Sequence, residues 1–166
     1  MRPALKLVVG PIVLCVVLCI AHGQETSQEP PVPHSTLQRY AKSHHSLSRN
    51  DRRLLLSTAL DIQTEQSSRT DCSHLVHDIY EDAGFPYAYA PSSDIYQGIE
   101  GFQRVKSPQP GDLVVWRGHV GIVIKPSRHT FFSFLSSGPG TDDYQSAYWK
   151  HRGQARFYRY LKTSSR

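Results

Sequence analysis

Cysteine is scarce: the 166 residues contain three, and two of them, Cys15 and Cys19, fall within the first 23 positions. A disulfide-stapled scaffold is therefore excluded. Long apolar stretches are limited as well, because the longest, residues 7–20, covers 14 positions where a membrane-spanning helix needs about 20. There is no HExxH or CxxC pattern, no basic tract interleaved with aromatics and no internal repeat. These absences argue against the common zinc signatures, nucleic-acid binding and solenoid architectures. No cofactor and no metal are expected.

The first 23 residues carry Arg2 and Lys6, then the apolar run, then the small-x-small triplet Ala21-His22-Gly23. This order predicts a cleaved secretory signal over 1–23 and an exported protein, in the periplasm, outside the cell or in its wall. Leu14 and Leu18 precede the two early cysteines, where lipidation requires a small residue. No membrane attachment is expected after cleavage. The mature protein would then hold one cysteine, Cys72, and no internal disulfide. The chain has 19 Lys and Arg against 14 Asp and Glu; without Arg2 and Lys6 the balance is 17 to 14. So mild a positive charge gives solubility and some attraction to anionic wall polymers.

Residues 24–50 are polar and rich in Ser, Gln, Pro and His, with a Pro30-Pro31-Val32-Pro33 cluster, and read as a flexible tether. A single folded domain is expected over 51–166. Leu54, Leu55, Leu56, Ala59 and Leu60 suit an amphipathic helix over 51–61 with Asn50 as its cap. Leu75, Val76, Ile79 and Tyr80 suit a second over 72–83, capped by Asp71 and stopped by Gly84 and Pro86. Residues 85–110 read mostly as loop, with a short helix near 93–97. Beyond Pro110-Gly111, β-branched and aromatic runs at 113–116, 119–124, 130–135 and 155–161 predict antiparallel strands. Helices first and strands after give an α+β fold, with N-terminal helices packed on an antiparallel β-sheet.

Two local patterns carry chemistry. In Asp71-Cys72-Ser73 a thiol stands in the first turn of a predicted helix, where unpaired N–H groups and the helix dipole favour thiolate and can hold an oxyanion. In Gly118-His119-Val120-Gly121-Ile122 a histidine opens a predicted strand, 47 residues downstream. Alternation puts His119, Gly121 and Val123 on one face and Val120, Ile122 and Ile124 on the other. The apolar side can pack while His119 faces outward, and Gly121 leaves space beside the imidazole for a helix end or a substrate.

The motif Asp71-Cys72-Ser73, then Pro110-Gly111-Asp112-Leu113-Val114, then Gly118-His119-Val120-Gly121-Ile122 resembles the NlpC/P60 family of cell-wall cysteine peptidases, whose domains are papain-like. The resemblance covers residues 54–160. It implies Cys72 as nucleophile, His119 as general base and acid, and a peptide bond of peptidoglycan as substrate. A third polar residue, on the strand after the histidine, orients the imidazole in the family; here Ser133 falls nearest, and another register brings Ser136 opposite His119. The chain departs from the family at 61–70, DIQTEQSSRT, where many members carry a tyrosine and paired glycines.

Other readings compete with this one. His74 and His77 are three apart on a predicted helix, yet no third ligand at a telling spacing accompanies them. They read as exposed helix residues or as a rim of the cleft. Phe131, Phe132, Phe134, Tyr148 and Trp149 read as core rather than as a sugar-stacking surface. Against the hydrolase stand a catalytically weak or inactive wall-binding protein of the same fold and, within the enzymes, a CHAP-type N-acetylmuramoyl-L-alanine amidase. A monomer is expected.

Overall fold

The computed structural model describes residues 44–64 and 71–163, all in the unit that runs from Tyr40 to Arg166. The expected signal at 1–23 and the part of the expected tether at 24–43 lie outside the described residues, as do positions 65–70 and 164–166. The chain runs β1 (His44–Ser46), α1 (Arg49–Thr64), α2 (Cys72–Asp82), α3 (Ser92–Gln97), β2 (Phe102–Val105), β3 (Leu113–Trp116) and β4 (His119–Lys125). After a 3-10 turn at Pro126–Arg128 follow β5 (Thr130–Leu135), β6 (Gly138–Asp143), α4 (Ala147–His151) and β7 (Arg156–Thr163).

Residues 44–50, read from their polarity as tether, belong to the folded unit. His44–Ser46 pairs with β7, Ser46 opposite Leu161, and Leu47 is buried in the core. Backbone pairing asks nothing of side-chain polarity, so composition does not reveal such a strand. The cap of α1 is also not Asn50. Ser48 Oγ accepts from the Asp51 N–H at 3.2 Å, and Asp51 Oδ2 accepts from the Ser48 N–H at 2.8 Å, a reciprocal cap that starts the helix at Arg49.

Among the described residues the strands form one antiparallel sheet in the order β1-β7-β3-β4-β5-β6, with β2 also on β7. One face carries the larger core, where Leu55 and Ala59 of α1, Leu75, Val76 and Ile79 of α2 and Ile95 of α3 meet Leu113, Val115, Val120, Ile122 and Phe132. This is the expected α+β arrangement. The opposite face is not bare: Val114, Trp116, Val123 and Phe131 pack there with Tyr144 and with Trp149 of α4. The short helix α4, absent from the sequence reading, covers this second cluster.

Two polar anchors fix the entry to β3. Tyr80, fully buried on α2, donates its hydroxyl to the Gly111 carbonyl at 2.5 Å. Asp112, also buried, accepts from Gln109 N at 2.7 Å and from Arg159 of β7 at Nε, 3.1 Å, and Nη2, 2.8 Å. Forked guanidinium pairing of this kind holds direction as well as distance. The Pro110-Gly111-Asp112 segment is thereby tied both to a helix and to β7.

The β3–β4 hairpin turns through Arg117 and Gly118, with Trp116 opposite His119 and Gly118 at φ +81°. Two residues later Gly121 has a different task. A Cβ there would stand 2.5 Å from the Phe131 ring and 2.7 Å from the Phe132 carbonyl. The space expected beside the histidine for a helix end or substrate is filled instead by Phe131. Gly121→Ala should therefore destabilise the fold by about 1–3 kcal/mol, the usual cost of overpacking. Guanidinium denaturation should show a lower midpoint at unchanged slope; an unchanged midpoint would contradict the close approach.

Candidate active site

Cys72 is the first residue of α2, and its placement is set by Asp71. The Asp71 backbone is extended, and its Oδ1 accepts from the N–H of Ser73 at 2.7 Å and of His74 at 3.0 Å. Its Oδ2 lies 2.5 Å from His74 Nδ1. These hydrogen bonds, with His74 first among the groups that lower it, bring the Asp71 carboxyl below its ordinary pKa despite the opposing effect of burial. The cap has a chemical consequence. Of the N–H groups expected to be free at this helix end, those of Ser73 and His74 are taken, while that of Cys72 has no acceptor among the described residues.

His119 comes to the same place from the sheet. It opens β4 and is buried, so it does not face outward as alternation alone suggests. The aromatic cluster encloses it: its ring lies 4.6 Å from Trp149 and 6.2 Å from Trp116, centroid to centroid. Burial first, and the nearby Arg152 second, lower its pKa from an ordinary 6.5 to about 4. The imidazole is neutral at physiological pH.

Ser133, fully buried on β5, is the histidine's hydrogen-bond partner. Its Oγ lies 2.9 Å from His119 Nε2 and 2.6 Å from the Val120 carbonyl. A hydroxyl has one proton, and a carbonyl can only accept, so that proton goes to Val120. Oγ then accepts from Nε2–H, which assigns the tautomer and leaves the Nδ1 lone pair free. Ser133 rather than Ser136 makes this bond. Ser136 lies in the β5–β6 turn.

Cys72 and His119 line one cleft of about 530 Å³, together with Asp71, Phe134, Leu135, Ser136, Ser137, Asp142, Tyr148, Trp149 and Arg152. Sequence reading missed the wall formed by α4 and its C-terminal cap, Arg152. The only signal was the adjacent Tyr148-Trp149, taken as core. Trp149 is core: buried, it donates from Nε1 to Asp142 Oδ2 at 2.7 Å. Tyr148 is 60% exposed and is part of the cleft surface.

His74 and His77 do not line the cleft. His74 stacks on Tyr89 at 4.4 Å, and His77 Nε2 donates to the Tyr87 carbonyl at 3.1 Å, so both fasten α2 to the following loop. His77 also stands beside Asp78 and Glu81, all on α2, with ligand-type atoms within 4.8 Å of one another. None of these three reaches the cleft. The 65–70 part of the segment where the family pattern is missing lies outside the described residues.

The state of His119 is open to measurement. Its NMR titration midpoint should lie near 4, and in Trp149→Ala, which lets water onto the ring, it should move up toward 6.5. In the folded protein the pKa is depressed, so between about pH 6.5 and 4 the unfolded chain takes up a proton that the folded chain refuses. This histidine's contribution to stability is intact above that window and declines as pH falls through it. A wild-type midpoint near 6.5 would mean that the ring is hydrated.

No curated protein matches the chain. The NlpC/P60 family, however, matches residues 61–156, which is more than half of the sequence and spans Cys72, His119, Ser133 and the α4 wall. The chain belongs to the NlpC/P60 family, whose domains are of the cell-wall peptidase type and are generally hydrolases.

Proposed function

We propose that the protein is an exported, monomeric cysteine peptidase that hydrolyses amide bonds in the peptide part of peptidoglycan, with Cys72 as nucleophile, His119 as base and Ser133 as the residue that orients it. The observation that carries this reading is the shared cleft. A thiol at a helix start and a buried imidazole, with Nε2 committed to Ser133, line the same 530 Å³ space. Support for export comes from the basic, apolar and small-residue order of the first 23 positions.

The reaction follows from the residues in place. Because burial and Arg152 keep the imidazole neutral, Nδ1 can accept the thiol proton as Sγ attacks the carbonyl carbon. The developing oxyanion is met by the Cys72 N–H and the positive end of the helix dipole. The proton on Nδ1 passes to the leaving amine, and an acyl thioester remains. Water, deprotonated by the same nitrogen, releases the acid and restores the thiol. Ser133 holds the ring throughout, but as a neutral acceptor it stabilises the transient imidazolium less than a carboxylate would.

Incubation of the protein with purified peptidoglycan, followed by mass analysis of the soluble products, tests the proposal. Defined fragments should appear, and Cys72→Ala should lower their release at least about 1,000-fold while leaving the folding transition in place. Cleavage within the peptide gives the peptidase; cleavage between sugar and peptide makes the protein an amidase of the CHAP type. Release that survives Cys72→Ala would sink the cysteine mechanism.

A further inference from the structure

The cleft holds one cation among its described lining residues, apart from the neutral His119, and that cation is not ion-paired. Arg152 closes α4, exposed, with Nη1 donating to the Tyr148 hydroxyl at 3.1 Å and its guanidinium 5.3 Å from the Trp149 ring and 5.9 Å from that of Tyr148. No described carboxylate pairs with it. The two acidic residues that line the same cleft are occupied elsewhere. Asp71 takes two helix N–H groups and faces His74, while Asp142 accepts from Trp149 Nε1 on one oxygen and from the Asp143 N–H on the other, both at 2.7 Å.

A guanidinium carries five N–H donors in a fork that matches a carboxylate, and among the described residues a single one is used here. Its planar group is braced by two aromatic rings, so little freedom remains to be lost when an anion binds. Position matters too. Trp149 touches both groups, its ring 4.6 Å from that of His119 and 5.3 Å from the Arg152 guanidinium, so an anion at Arg152 binds near the base. Ser136 and Ser137, exposed in the β5–β6 turn, add neutral hydroxyls to the same cleft.

Resting on the proposed hydrolase reading, we infer that Arg152 is a specificity-determining residue that binds a substrate carboxylate flanking the amide to be cut, with Tyr148 positioning its guanidinium. The preferred substrate is therefore an acidic peptide, and amidation of its carboxylates is discriminated against. Binding has a second effect. After burial, Arg152 is the lesser of the two influences that lower the basicity of His119, and a carboxylate on the guanidinium opposes that lesser influence.

The experiment measures binding without turnover. The full chain carrying Cys72→Ala is titrated calorimetrically with a peptidoglycan stem peptide bearing free carboxylates, and with the same peptide after conversion of those groups to carboxamides. The acidic peptide should bind about tenfold more tightly, the scale of one charge-assisted pair. Adding Arg152→Gln should erase the preference, Arg152→Lys should retain part of it, and rising salt should weaken it in the Arg152 protein. Equal affinity for the two peptides, binding of neither, or a preference that survives Arg152→Gln overturns the inference. Because no bond is cut, the result is separate from the hydrolysis assay: a preference that depends on Arg152 stands even where cysteine-dependent release fails.

Discussion

Strand β4 is buried on both faces, and the rest of the domain is arranged around that constraint. Val120 and Ile122 point to the helices, while His119, Gly121 and Val123 point to the aromatic cluster. A strand with a period of two cannot serve two cores unless each face has its own partners within reach. The helix side is supplied by α1 and α2, the other by Phe131 of the adjoining strand and by Trp149 of α4. A histidine at the first position of such a strand is pulled into the second core while remaining next to the start of α2. Its low basicity and its place in the cleft that Cys72 also lines have the same origin.

The two chemical groups are held by different means. Cys72 is held by a cap, a local device in which one carboxylate consumes two helix N–H groups and leaves that of Cys72 itself. His119 is held by tertiary packing, with a ring against one side and a hydroxyl on Nε2. In the proposed mechanism, a neutral imidazole that shares a cleft with a thiol favours proton transfer during attack over a standing ion pair. A serine in the orienting position suits that arrangement, because it fixes the ring without drawing a proton onto it.

This difference explains what could be read in the sequence. Asp71-Cys72-Ser73 opening a helix is legible, since capping chemistry is written in neighbouring residues; so are the strands at Leu113–Trp116 and Thr130–Leu135, which are apolar and β-branched or aromatic. Ser133 is found by counting along a strand whose register is set by a short hairpin. Three strands go unread for physical reasons. His44–Ser46 is exposed and polar, Phe102–Val105 is four residues long with two exposed, and Gly138–Asp143 begins Gly-Pro-Gly. They exist because neighbouring strands offer hydrogen bonds, not because their side chains prefer extended backbone. The α4 wall is missed likewise, for a five-residue helix has too few turns to show a period. Its Trp149 was correctly read as core, but that this core residue also backs the histidine is visible only in three dimensions.

Ser133 spends its single proton on Val120, and the consequence reaches beyond the orientation of one ring. In the proposed reaction Nδ1 is then the sole port through which protons enter and leave, so the departing amine and the incoming water must use it in turn. Whatever occupies that port after the first amine has gone decides the fate of the thioester. In that reaction a second amine would compete with water for the acyl group. On the proposed mechanism, hydrolysis and acyl transfer to an amine would share one nitrogen, and the relative supply of water and amine would divide the thioester between them.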